Sequence, residues 1–273
     1  MRFTRTATVL GSLIVMAAPA AFAGPATGGD TSDLEPVENE TPKHNVDQEL
    51  TRILPGTLGA SVGPSTVVAS SFGGYDSAAK APVASMYTEV KLLPRLVLLA
   101  GVGWAVPNAL GQGGGDMRPQ LGARVQLLNQ AKYGMDMAAA FMFREDKFGA
   151  EDGLFQGSLS FGRRFERVSA VMNVVYGQDG EGDDHEGDVH LAVLADVAQH
   201  FHVGVDSRAT RALASTDPRR AQLGTPTGTL IAGPLAAFTY GPIAVMTEVG
   251  MSEVWLAQVK SGVVALGGVG AAF

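Results

Sequence analysis

Histidines, acids and arginines fall on alternate residues in the later part of the chain: Asp188, His190 and Asp196, then His202, Asp206 and Arg208. A carboxylate beside an imidazole is the pair that makes a histidine a base and readies a nearby hydroxyl for attack. Asp196 and His202 meet that description, but no serine on their face sits where a nucleophile belongs, and the oppositely directed Ser207 has no histidine beside it. An enzyme is therefore not expected. Residues an even number apart on an extended strand point the same way, so these groups are expected to line one wall and set its charge.

That wall needs strands, and the sequence supplies them. From about Ser65 the chain reads as about twelve segments of alternating polarity, each about ten residues long, the length that crosses a bilayer as a tilted strand. They run over 65–73, 83–93, 95–105, 117–128, 132–144, 154–165, 167–177, 187–197, 199–209, 228–240, 241–250 and 261–273. Short turns alternate with longer loops at 74–82, 106–116, 145–153, 178–186, 210–227 and 251–260. In 117–128, for example, Leu121, Ala123, Val125 and Leu127 oppose Arg118, Gln120, Gly122, Arg124 and Gln126. Arg163 breaks the pattern of its segment and is expected to snorkel to an interface.

A soluble sandwich shows the same period. The aromatics separate the two cases. On the apolar parity Trp104, Phe143, Phe155 and Tyr176 fall at the long-loop ends, and Tyr133, Phe165, Phe201, Tyr240 and Phe273 at the short-turn ends. Aliphatic or small residues such as Leu98, Met137, Met172 and Leu191 lie between. Two aromatic belts around an aliphatic band are what a lipid-facing barrel carries. The expected fold is all-β: a closed antiparallel transmembrane β-barrel of about twelve strands, over residues 56–273.

Composition excludes several classes. A mean hydropathy of +0.14, with no later apolar run near the roughly 20 residues of a spanning helix, excludes a helical membrane protein. A net charge of −7 argues against nucleic acid as a partner. No cysteine occurs, which removes disulfides and thiol chemistry. At the start, Arg2 and Arg5, the mainly apolar stretch Ala7 to Ala18, and Ala21-Phe22-Ala23 make a signal peptide over 1–23, cleaved after Ala23. Residues 24–55 read as a flexible periplasmic segment in which Val46, Leu50, Ile53 and Leu54 share one face of a short helix. That helix docks in the barrel as a plug or stays a marginally folded linker, and its shortness favours the linker.

The signal peptide, the strand series and the closing strand with Phe273 resemble the bacterial outer-membrane β-barrel class. The resemblance implies residence in the outer membrane, contact with its lipid and lipopolysaccharide, and assembly by machinery that reads the strand ending in Phe273. Members often carry an aromatic two residues before the last; this chain has Ala271. No subfamily motif stands out.

Parity then assigns the lumen: Glu89, Lys91, Arg95, Arg118, Arg124, Asp136, Arg144, Arg164, Arg167, His190, Asp196, His202, Asp206, Arg208 and Glu248 are expected to line it. Arginines dominate the 95–167 side, acids and histidines the 188–206 side, and opposed walls make a transverse field that orients polar solutes. Tight turns would set Arg124 opposite Asp136, Arg118 opposite Met142, Asp196 opposite His202 and His190 opposite Arg208. Small or apolar inward residues, among them Ala140, Leu194, Gly233 and Ala237, leave room for the N-terminal helix or an apolar ligand. The acidic loop Gln178 to Asp188 lacks the spacing of a calcium loop and reads as a solvated surface, and no cofactor is expected. The expected function is a porin-like channel for passive diffusion of small polar solutes; the alternative is a non-conducting structural or surface-interaction barrel.

Overall fold

A computed structural model describes residues 49–55, 58–104, 117–145, 153–180, 182, 184–215, 227–255 and 258–273. The proposed signal peptide, the segment up to residue 48 and much of the loops 106–116, 145–153 and 210–227 lie outside them.

Alternation of side chains builds twelve strands: β1 (Val67–Asp76), β2 (Ala81–Leu93), β3 (Leu96–Trp104), β4 (Met117–Leu128), β5 (Asp136–Glu145), β6 (Gly153–Phe165), β7 (Val168–Asp179), β8 (Asp184–Ala198), β9 (Phe201–Ser215), β10 (Gly228–Tyr240), β11 (Ile243–Trp255) and β12 (Val259–Ala272). Each pairs antiparallel with its sequence neighbours, and β1 pairs with β12 from Val68↔Ala272 to Asp76↔Val264. The sheet is closed, so every ladder hydrogen bond has a partner and no edge is left, the condition for crossing a bilayer with strands. Two four-residue helices complete the described elements: α1 (Leu50–Ile53), before the barrel, and α2 (Gln130–Tyr133), between β4 and β5.

Strands outrun the sequence expectation at the loop end. β8, β9, β11 and β12 continue into stretches assigned to loops, because antiparallel pairing persists past the apolar band wherever the two strands keep register. The supposed loop 74–82 is a four-residue turn instead. Asp76 Oδ1 accepts from Ala78 N at 2.8 Å and Ala79 N at 3.2 Å, and Lys80 turns the chain at φ 56°. These side-chain-to-backbone bonds stand in for a backbone turn.

The β4–β5 connection also departs from expectation. Asn129 accepts from Ala131 N at 2.9 Å and Gly134 takes φ 76°, so α2 fills the space where a tight turn was expected. Arg124 therefore pairs with Ala140 rather than Asp136, and Gln120 with Arg144. The later hairpin turns tightly at Gln199-His200, with His200 at φ 72°, and there Asp196↔His202 and His190↔Arg208 hold as expected.

The outward parity is apolar and exposed all round, with Leu121 66%, Val205 56% and Val263 57% exposed. Exposed rings flank it: Tyr75, Phe155 and Tyr176 toward the loop end, and Phe165, Phe201, Tyr240 and Phe273 toward the turn end. Arg163 lies on this outer wall, its guanidinium 4.2 Å from the Phe165 ring centre, which carries the charge to the turn-end interface.

Candidate functional site

The core of this barrel is its lumen, and the lumen has two halves. In the loop-end half, charged side chains reach across the strands between them. Arg144 of β5 meets Glu186 of β8 at 2.6 Å, passing over β6 and β7, and Gln156 donates to the same carboxylate at 3.0 Å. Arg208 of β9 meets Asp206 at 2.7 Å and spans β10, which carries no charge, to pair with Glu248 of β11. His190 pairs with Asp206, and Ser252 donates to Asp76 at 2.7 Å. The arginine-rich and acid-rich walls thus meet in ion pairs instead of facing each other across open water.

The turn-end half holds a segment of the chain itself. Four residues cannot sustain a helix in water, yet α1 persists because Leu50, Ile53 and Leu54 are buried inside the barrel with Val68, Phe72, Val171, Leu194, Leu235 and Met246. Each such side chain contributes about 1.5–3 kcal/mol on burial. Farther along, Leu58 and Val62 pack with Val97, Leu99, Ala140 and Met142. The wall makes room with small residues: a Cβ on Gly270 would lie 2.7 Å from Ile53 Cδ1, and one on Gly162 2.9 Å from Ala60 Cβ. Of the segment 24–55, the described residues 49–55 are thus packed inside the barrel. Long-range contacts supply what local helix propensity lacks.

Charge also fixes this segment, a stopper of the lumen's turn-end half only in the sense that it fills it. Arg52 donates to Glu89 through Nε at 2.8 Å and Nη2 at 2.6 Å, and to Glu49 through Nη1 at 2.6 Å. Arg124 reaches the same Glu89 at 2.7 Å. All four side chains are fully buried. Burial works against the charge of Arg52, but Glu89 and Glu49 outweigh it and raise its pKa. Glu49 also accepts from Ser65 N at 3.0 Å, which ties the start of α1 to the entry into β1.

The expected lumen residues divide accordingly. Glu89, Lys91 and Arg124 hold the stopper; Arg144, His190, Asp206, Arg208 and Glu248 form the loop-end pairs; Arg118 lies half-buried on the inner parity of β4. Asp136 is taken up by the turn, accepting from Gln126 Nε2 at 3.0 Å and Gln130 N at 2.9 Å. Arg164, Asp196 and His202 form a chain at the turn end, with contacts of 2.9 and 2.7 Å. Arg95 and Arg167 sit in the turns after β2 and β6, exposed at the rim. His202 Nε2 is 3.4 Å from the Thr239 hydroxyl, with both groups buried, so this acid–imidazole–hydroxyl line ties β8, β9 and β10 together.

Glu49, Arg52 and Asn173 escaped sequence reasoning. A signal was present for the first two, a charge pair at i,i+3 embedded among Leu50, Ile53 and Leu54. Among the described residues, clefts open at the turn end, two of them beside groups named above. One, of about 440 Å³, lies between the stopper (Thr51, Ala60, Ser61) and the wall at Asp136, Gly162 and Arg164. The other, of about 410 Å³, lies beneath the β8–β9 turn and is lined by Arg167, Asp196, His200 and His202.

No protein-family model and no curated protein matches the sequence. Among solved structures, the fold is similar to the COG4313 outer membrane channel from Pseudomonas putida F1, with a TM-score of 0.52 and 10% identity, over 80% of this chain and 99% of that one. It is also similar to the NanC porin, with a TM-score of 0.50 and 11% identity, over 75% of this chain and 98% of that one. At such identity the likeness is one of fold, and it agrees with the lipid-facing wall. The chain folds as a closed antiparallel β-barrel of twelve strands, the fold it shares with these two outer-membrane channels.

Proposed function

We propose that this barrel is a porin-like channel for passive diffusion of small polar solutes, and that its own N-terminal segment, from α1 to Pro64, is the stopper that sets its conductance. The supporting observation is what fills the turn-end half. Among the described residues a single stretch of chain occupies it, against wall positions kept small at Ala140, Gly162, Ala237, Ala244 and Gly270, while the wall's own ion pairs there, Arg124 with Glu89 and Arg164 with Asp196, each span a single strand. Removing that stretch leaves a passage with polar groups along much of its length. The 440 Å³ cleft beside the stopper is the start of such a path on the periplasmic side. The outer wall meets lipid and lipopolysaccharide, and exposed Phe273, at the seam between β12 and β1, is the group offered to the assembly machinery.

The test is a lock. The sequence has no cysteine, so Ala60→Cys with Gly162→Cys introduces the only pair, at a Cβ separation of 2.9 Å that an outward shift of the segment brings into the roughly 3.5–4.5 Å of a disulfide. In planar bilayers the reduced protein should show discrete openings that vanish on oxidation and return with reductant. Openings that ignore the redox state would remove the stopper from the account.

The second reading, a non-conducting barrel, draws on the complete burial of Glu49, Arg52, Glu89 and Arg124. Folded, reduced protein that never conducts would select it.

A further inference from the structure

The seat of the stopper has a chemistry of its own. From Leu58 to Pro64 the chain is neither helix nor strand, and what the wall grips there is mostly main chain. Asn173 of β7 clamps one residue at both ends, accepting from Leu58 N at 3.1 Å and donating to Leu58 O at 2.6 Å. Arg124 of β4 donates to Gly59 O and, at 3.3 Å, to Ser61 O. Gln126 accepts from Val62 N at 3.3 Å, and Lys91 of β2 donates to Gly63 O at 3.0 Å and Pro64 O at 2.6 Å.

Four side chains on three strands thus address N–H and C=O groups that any peptide carries. Side chains of the segment enter chiefly at two points, Leu58 and Val62, four residues apart and seated against Val97, Leu99 and Met142. The loop-end half, by contrast, is lined by side chains that bind side chains. Donors and acceptors arrayed for amide backbone, beside an apolar seat, are the elements of peptide recognition, in which main-chain bonds give affinity and pockets select side chains.

We infer that this array is a peptide-binding site, held at rest by the chain's own segment, and that the polar solutes of the channel are short peptides with apolar side chains. The inference rests on the channel reading above. When the segment leaves, Asn173, Arg124, Gln126 and Lys91 lose these main-chain partners while Arg124 keeps Glu89, Gln126 keeps Asp136 and Asn173 keeps Ser160, and a peptide restores the lost contacts where a sugar of similar size offers no amide for the Asn173 clamp.

The experiment opens the seat in the full mature chain with Leu58→Asp and Val62→Asp, which place carboxylates in the apolar seat. A synthetic peptide with the native sequence of residues 49–64 is then added in planar bilayers. It should block the open channel, the same peptide carrying both aspartates should not, and a neutral disaccharide should not compete. Adding Asn173→Ala to the opened protein should weaken the block about tenfold, the loss of a bidentate amide contact. Currents that ignore the native peptide overturn the inference and leave the channel standing. If neither this variant nor Arg52→Glu conducts, the channel reading itself fails. Binding of fluorescently labelled native peptide to the opened protein in detergent then decides separately, and no retention above the aspartate control overturns the peptide site.

Discussion

Two sets of charges, one in each half of the lumen, are buried to different depths. At the turn end, Arg52, Glu49, Glu89 and Arg124 lie at no measurable exposure and hold a piece of main chain in place. At the loop end, Arg144 and Glu186 pair at equal distance but each keeps a fifth of its side chain exposed. A fully buried charge with one partner removed is a large penalty, whereas a partly solvated one is largely relieved by water. Equal bond lengths therefore carry unequal consequences: the first set is structural and the second is available to whatever enters the lumen.

The largest effect should come from Glu89→Ala. It leaves Arg52 and Arg124 facing each other in the dry half with one carboxylate fewer, a cost of about 3–5 kcal/mol. The stopper should relieve it by leaving, so the variant should conduct continuously in planar bilayers, and protease should cut near α1 while the barrel stays intact. A silent, protease-resistant Glu89→Ala would show that the buried pairs do not hold the stopper.

Next come the apolar contacts of the same half. Ile53→Ala removes a fully buried side chain, about 2–4 kcal/mol of a packing that no wall residue replaces. Gly270→Val makes the complementary intrusion, since its Cβ alone would lie 2.7 Å from Ile53 Cδ1; overpacking of this kind costs about 1–3 kcal/mol. Both should raise the open probability, Ile53→Ala more. If Gly270→Val conducts no more than the parent, α1 has slack against β12 that the packing does not show.

How much of this was legible follows from the range of the interactions. Facing was legible because each strand declares it locally with a period of two, and errors in one strand do not spread to the next. Register at β8–β9 was legible too, since a tight turn at Gln199-His200 leaves one solution that keeps both faces. At β4–β5 the same logic failed on Asn129 and Gly134, which together insert α2 and move Arg124 four residues from its expected partner. The stopper was the least legible. Local signals for α1 amount to one turn of helix, while what holds it, such as Arg52 with Glu89 and Leu58 with Asn173, joins residues 37 and 115 positions apart. Parity did place Glu89, Lys91 and Arg124 on the inner wall, but it could not say that their partner was the chain itself.

The smallest effect on stability should come from the loop-end half, and it sharpens the comparison most. Arg144→Ala frees Glu186 in a partly solvated setting, where an ion pair is worth about 0–1 kcal/mol, so unfolding in detergent should hardly move. Gln156 still donates to Glu186 at 3.0 Å, which keeps the carboxylate in place and pointing into the lumen. The charge of the wall changes all the same: one positive group is lost where the arginine-rich and acid-rich sides meet. In the reduced Ala60→Cys, Gly162→Cys background the reversal potential under a salt gradient should shift toward cations, and Glu186→Gln should shift it the other way. Opposite shifts without loss of stability would separate the half that conducts from the half that closes. A shift from Glu89→Gln as large as that from Glu186→Gln, at equal stability, would erase the distinction, because both halves would then be lining the same open path.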